Sequence, residues 1–191
     1  MTAKKHSNLR EELIIAGIDE INKYGANNFS IRRVAEACHV SCAAPYRHFE
    51  SKYDFIAAII DYVNDIWAER QEEIVAQCGD SVREQIIEIT INYVRFLMEK
   101  PIYRSILMLK NEEYDNLYHK KRTQFGSLSQ SLEAELISSS GLSKEVWDRK
   151  IMTVRALIFG IVFLFDAGEF AYNETNMENL RYTINREFEV L

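Results

Sequence analysis

The stretch from Phe29 to Phe55, FSIRRVAEACHVSCAAPYRHFESKYDF, limits what this 191-residue chain can fold into more than any other. Ser30 can cap a helix running to about Cys38, with Ile31, Val34, Ala35 and Cys38 on its inner face. Ser41 can cap a second helix, Cys42 to His48. Ser51-Lys52-Tyr53-Asp54 has the form of a capping box and opens a third, reaching about Gln77. About three residues separate the first two helices, and Val40 is placed to point inward and pin their crossing. The middle helix is then short and held out at the surface.

The rest of the chain continues the helical theme. Leu9, Leu13, Gly17, Ile21 and Tyr24, with Ile14 and Ile18 beside them, fall at helical spacing, and Gly25 ends that helix. Gly79 interrupts the chain, and Ser81-Val82-Arg83-Glu84 opens a helix to about Met98. A short apolar helix follows Pro101, to about Leu109. The next spans roughly Tyr114 to Ser138, and the run Ser138 to Gly141 is a loop. Ser143 can cap a helix reaching about Phe170, and a last one runs from about Asn176 to Phe188. With only 7 Gly and 2 Pro, turns are few, and neither a period-two strand nor an internal repeat occurs. The expected fold is all-α with about nine helices, in two domains, 1–55 and 56–191.

The net charge of −6 argues at first against a polyanionic partner, but its distribution matters more. Residues 1–55 carry eight Lys/Arg against seven Asp/Glu, whereas 56–191 carry 15 against 22. A mildly basic head on an acidic body results. Cys38, Cys42 and Cys78 form no disulfide framework, and the N-terminus MTAKKHSNLR lacks the apolar core of a signal peptide. Reduced thiols and a cytoplasmic location are expected. The longest apolar run, Ala156 to Phe165, is too short to span a bilayer, so no membrane partner is expected. Cys38, His39, Cys42 and His48 cluster in sequence but match no zinc spacing. Neither a Ser-His-Asp arrangement nor a phosphate-binding glycine loop is present. The expectation is a protein that is not an enzyme and needs no cofactor.

A short surface helix held by a bracing one can enter the DNA major groove. Here its outward residues Cys42, Ala43 and Ala44 are small, so they permit close approach and can pack on thymine methyls. Arg47 can pair bidentately with guanine. Tyr46, His48 and Lys52 can donate to phosphates. Arg32 and Arg33 either do the same or form a solvated helix face. Pro45 lacks an N–H that the start of the helix would otherwise use, and it stiffens the segment.

Residues 9–55 resemble the DNA-binding domain of the TetR family of bacterial repressors. The shared pattern is Gly25 ending the first helix, Ser30 before the second, and Val40-Ser41 opening the recognition helix. Tyr46 follows in mid-helix, His48-Phe49 at its end, and Ser51-Lys52 opens the next. The resemblance implies base contacts from Cys42, Ala43, Ala44 and Arg47, and phosphate contacts from Ser30, Tyr46, His48 and Lys52. Two positions depart from the pattern. His39 stands where the family usually has Gly, and histidine tolerates the left-handed conformation better than most residues. Pro45 stands where an apolar, Leu-like residue is usual, so this helix need not dock at the family's angle.

In the body, the helix beginning near Ser143 carries two apolar stripes. One is Trp147, Ile151, Val154, Ile158, Ile161 and Phe165; the other is Met152, Ala156, Phe159, Phe163, Ala167 and Phe170. Met177, Leu180, Ile184 and Phe188 fall in step on the last helix. Either both stripes are core, or one faces the core and one a second subunit. The interface is assigned to the first stripe with Leu180, Ile184 and Phe188. The resemblance implies a homodimer reading a pseudo-palindromic operator, with a small effector of unknown identity among the middle helices. Tyr93, Phe96, Tyr103, Phe125 and Phe159 are candidates to line that pocket, with Asn92, Arg104, His119 and Arg155 as polar anchors. The expected function is a ligand-responsive dimeric repressor. The alternative is a protein of this fold that acts through protein contacts without reading DNA.

Overall fold

The computed structural model describes the backbone of residues 3–107 and 126–189. These residues form eight α-helices and two 3-10 turns, with no strand among them: α1 (Ala3–Tyr24), a first 3-10 turn (Ala26–Asn28), α2 (Ile31–Ala37), a second 3-10 turn (Pro45–Arg47), α3 (Lys52–Gln77), α4 (Val82–Glu99), α5 (Pro101–Leu107), α6 (Gly126–Ser140), α7 (Lys144–Asp166) and α8 (Glu174–Glu187). The expected helix start near Tyr114 lies outside the described residues. No described helix is long and apolar enough to cross a membrane. Contacts divide the chain into two compact units. One comprises the described parts of Met1–Ile66 and Pro101–Gln124, the other those of Trp67–Lys100 and Phe125–Leu191.

In the first unit α1 packs on α2, on the first 3-10 turn and on α5. Leu13, Ile14, Ile18 and Ile21 form its buried face. A glycine inside a helix costs roughly 0.5–1 kcal/mol against alanine. At Gly17 the missing Cβ makes room for α3, since an added one would lie 2.7 Å from Ile59 Cδ1 and 3.2 Å from Phe55 Cε2. Phe55 meets Phe29 edge-on at 5.2 Å and stacks on Phe49 at 3.9 Å, which fixes the start of α3 beneath the second 3-10 turn. That start is capped as its sequence predicts: Ser51 Oγ accepts from Asp54 N at 3.0 Å, and Asp54 Oδ2 accepts from Glu50 N at 2.9 Å.

In the second unit α4 is the central helix, packed against α6, α7 and α8. Ile86, Ile87, Ile89, Ile91, Tyr93, Val94, Phe96 and Leu97 are all buried, so α4 is covered on most of its circumference. Two arginine–carboxylate forks tie it to α8, Arg95 to Glu174 at 2.7 Å on both arms and Arg181 to Glu88. Both are partly exposed, so they set register more than stability.

Two expectations need correction. The helix opened by Ser143 ends at Asp166 rather than Phe170. Gly168, at φ 73°, takes the left-handed position after the cap, Glu169 N donates to Leu164 O, and Gly168 N to Phe165 O. That pair of bonds is the Schellman pattern, and it turns the chain before Phe170. The stripe expected to face a second subunit also lies inward. Trp147, Val154, Ile158, Phe165, Leu180, Ile184 and Phe188 are buried within the single chain, where α7 and α8 close on α4. Ile151 and Ile161 are half-buried. The exposed stripe is the other one, with Met152 66% and Phe163 67% exposed.

Candidate nucleic-acid interface

The exposed segment of the first unit is built from α2 upward. Ser30, extended at φ −127°, caps α2 by accepting Arg33 N on its Oγ at 3.4 Å. Its own N–H goes to Glu20 Oε1 on α1, at 3.2 Å. Glu20 is a buried acid, only 8% exposed. Arg33 neutralises it, Nε donating at 2.8 Å and Nη2 to the same oxygen. Arg33 Nη2 also donates to Asn28 O at 2.5 Å, and the guanidinium lies 4.3 Å from the centre of the Tyr24 ring. Lys52 Nζ donates to the neighbouring carbonyl, Asn27 O, at 3.1 Å. Lys52, expected on a phosphate, and Arg33, expected on a phosphate or a solvated face, thus both bond to the first 3-10 turn. The Glu20 clamp escaped sequence reasoning, although its signal exists: Glu20 sits seven residues after Leu13, on the apolar stripe of α1, where an acid demands a partner.

His39 ends α2 in the left-handed conformation, φ 56°, the one non-glycine residue there among those described. Val40 N donates to Ala35 O and His39 N to Glu36 O, the bond pair that a glycine at this position usually supports. The turn is therefore kept with histidine in place of glycine. Val40 is half-buried at the crossing.

The expected α-helix from Cys42 to His48 is replaced by a turn through Cys42 and Ala43 and a 3-10 turn at Pro45–Arg47. Proline is the cause. An α-helix from Ser41 needs the N–H of residue 45 on Ser41 O, and Pro45 has none. Ser41 O accepts from Ala44 N instead, at 2.9 Å, and the tighter spacing continues with Arg47 N to Ala44 O and His48 N to Pro45 O. The cap position falls on Ala44, φ −63° and ψ −43°, rather than on Ser41, and it carries no side-chain cap bond. Pro45 and Phe49 are buried and anchor the segment. Cys42, Ala43, Tyr46 and Arg47 are exposed, and Ala44 and His48 are half-buried. All four expected base contacts thus share one short surface loop, with Tyr46 and Arg47 its largest exposed side chains. Arg32 is exposed and bonded to Glu36 within α2 at 2.9 Å.

Cys38 is half-buried, its Sγ donating to Glu12 O at 3.7 Å, and burial followed by the Glu12 charge pushes its thiol up. A raised thiol is a poor ligand and nucleophile. Among the described residues no group of three His, Cys, Asp or Glu is arranged to hold a metal.

The candidate effector residues are scattered. Tyr103 and Arg104 lie on α5 in the first unit, and Asn92, Tyr93, Phe96, Arg155 and Phe159 in the second. His119 and Phe125 lie outside the described residues. Tyr93 and Phe96 are buried against Trp67, at ring distances of 4.9 and 5.2 Å, and burial pushes the Tyr93 phenol well up. A cavity of about 520 Å³ opens between the end of α3 and α4, lined by Ile74, Cys78, Asp80, Glu84, Glu88 and Asn92 among others. Of the expected pocket residues that are described, Asn92 alone reaches it.

A sequence model of the bacterial regulatory proteins of the tetR family matches residues 13–59. No curated protein matches the chain. Solved structures resemble it over nearly its whole length. A TetR family transcription regulator from Marinobacter aquaeolei VT8 covers 96% of this chain and 97% of its own, at 18% identity and a TM-score of 0.73. The transcriptional regulator FadR from Bacillus subtilis, solved with stearoyl-CoA, covers 93% and 96%, at 15% identity and 0.72. The fatty acid degradation regulator FadR from Bacillus halodurans covers 94% and 93%, at 13% identity and 0.69. At these identities the likeness is one of fold; the match at 13–59 is one of sequence. Residues 13–59 thus match the tetR family of bacterial regulatory proteins in sequence, and the chain shares its fold with solved regulators of that family through both units.

Proposed function

We propose that the chain is a dimeric repressor that reads a pseudo-palindromic operator and releases it on binding a small effector. The observation that carries the reading is the exposed loop Cys42–Arg47. Its first three residues, Cys42, Ala43 and Ala44, are small, and it ends on exposed Tyr46 and a single arginine. Arg47 reads a guanine, while Cys42, Ala43 and Ala44 pack on thymine methyls. Ser30, Arg32, Tyr46, His48 and Lys52 surround it as phosphate contacts.

Pairing of two chains places two heads on one duplex. The exposed stripe of α7 supports it: Met152, Phe163 and the half-buried Phe159 share one face with Ala156 and Gly160, small residues that let a second helix approach. For the effector, support comes from the core of the second unit. Trp67 is 1% exposed and its indole N–H has no acceptor among the described residues, whereas the equally buried Trp147 donates to Ser140 Oγ at 2.6 Å. An unsatisfied buried donor costs about 1–3 kcal/mol, which a ligand acceptor would recover. Stearoyl-CoA, bound by the similar Bacillus subtilis FadR, is the first compound to titrate. By linkage, any effector that weakens DNA binding is weakened equally by DNA.

Selection of binding sites from a random-sequence duplex library tests the reading. The expected result is enrichment of an inverted repeat with half-sites about one helical turn, roughly 34 Å, apart. A chain that enriches no sequence acts instead through protein contacts.

A further inference from the structure

We propose that Glu20 and Arg33 are positioning residues for duplex reading: the buried Glu20 carboxylate locks the start of α2 to α1 through Ser30 and Arg33, and so sets the aim of the loop Cys42–Arg47. The proposal rests on the DNA-reading function above and assigns Arg33 a role inside the head rather than on a phosphate.

Glu20 occupies the apolar stripe of α1 among Leu13, Gly17 and Ile21. A carboxylate there is tolerated only with a charge partner and hydrogen bonds. It receives both from the first turn of α2, the Ser30 amide at 3.2 Å and the Arg33 guanidinium at 2.8 Å. Arg33 reaches a third point, Asn28 O, and lies over Tyr24. Its Nε and Nη2 are therefore bonded inward, and one face of its plane is covered. Helix α2 has seven residues, two turns, and has no stable orientation of its own. Its direction comes from its apolar contacts and from this clamp. The turn at His39 and the loop that follows are carried on its far end, so a tilt at Ser30 displaces Cys42, Ala43 and Arg47. Sub-ångström placement decides a bidentate base contact far more than a phosphate contact, because a point charge tolerates displacement.

That difference separates positioning from the two simpler roles. Arg33→Ala and Glu20→Gln are assayed by fluorescence anisotropy on a duplex enriched by the wild-type chain and on a shuffled duplex of equal composition, at several salt concentrations. Each variant is expected to weaken the enriched duplex about tenfold or more, leaving shuffled-duplex affinity and salt slope unchanged. Their combination should be no worse than either alone. Arg33→Lys, which keeps the charge but not the fork, should recover only part of the loss. Arg32→Ala is the control, expected to weaken both duplexes alike and flatten the slope by about one ion. The proposal is overturned if Arg33→Ala flattens the slope in that way, which would make Arg33 a phosphate contact. It is equally overturned if the variants lower only the melting temperature and bind both duplexes as wild type does. Glu20→Gln preserves size and an acceptor for Ser30 N, and it carries the test where Arg33→Ala does not fold. A wild-type chain that binds neither duplex overturns the DNA-reading function itself, a different outcome.

Discussion

The two units turn different chemistry outward. Around the His39 turn the large apolar side chains, Phe29, Phe49 and Phe55, are buried, and the surface is left to Cys42, Ala43, Tyr46 and Arg47. On α7 the reverse holds: beside a buried row of Trp147, Val154, Ile158 and Phe165, the helix leaves Met152 and Phe163 largely in solvent. A surface of two small groups, a tyrosine and a cation suits a hydrated polyanion with readable edges. An exposed row of Met and Phe suits a second protein surface. One fold thus leaves two chemically different faces uncovered, one in each unit.

The strongest way to break the comparison uses the two faces of α7. Ile158→Ala should cost about 2–5 kcal/mol of unfolding free energy, since Ile158 is buried within the chain, with folded chains still paired. Phe163→Ala should weaken self-association by about 2 kcal/mol, with little effect on a single chain's packing. Sedimentation across a concentration series, beside chemical unfolding, reads both. Exchange of the two outcomes would return the interface to the buried stripe. A smaller effect sharpens the other side. Arg47→Ala should cost about 1–3 kcal/mol on the enriched duplex and relax preference at one base pair. A base-preference profile unchanged by that substitution would remove Arg47 from direct readout.

The head was the more legible unit because its residues have backbone duties. Ser30 and Ser51 cap, His39 takes a positive φ, and Phe49 fills the core, so type and spacing alone point to the local structure. The error there, an α-helix from Cys42 to His48, came from treating Pro45 as one lost bond; the missing N–H instead shifts the bonding pattern of the whole segment. The turn of Lys52 and Arg33 onto the carbonyls of Asn27 and Asn28 was not legible, because sequence does not display those carbonyls. The body resisted for another reason. Its two α7 stripes are equally apolar, and only packing against α4 decides which is core. The early end of α7 was legible in Gly168, which a pattern of apolar residues running on to Phe170 overrode.

The mass of the complex on an enriched duplex tests the account most directly, because it joins the two faces in one observation. Two chains per duplex are predicted, on an inverted repeat, with affinity falling steeply as salt rises. A single chain per duplex, or equal and salt-insensitive affinity for the enriched and shuffled sequences, would contradict it.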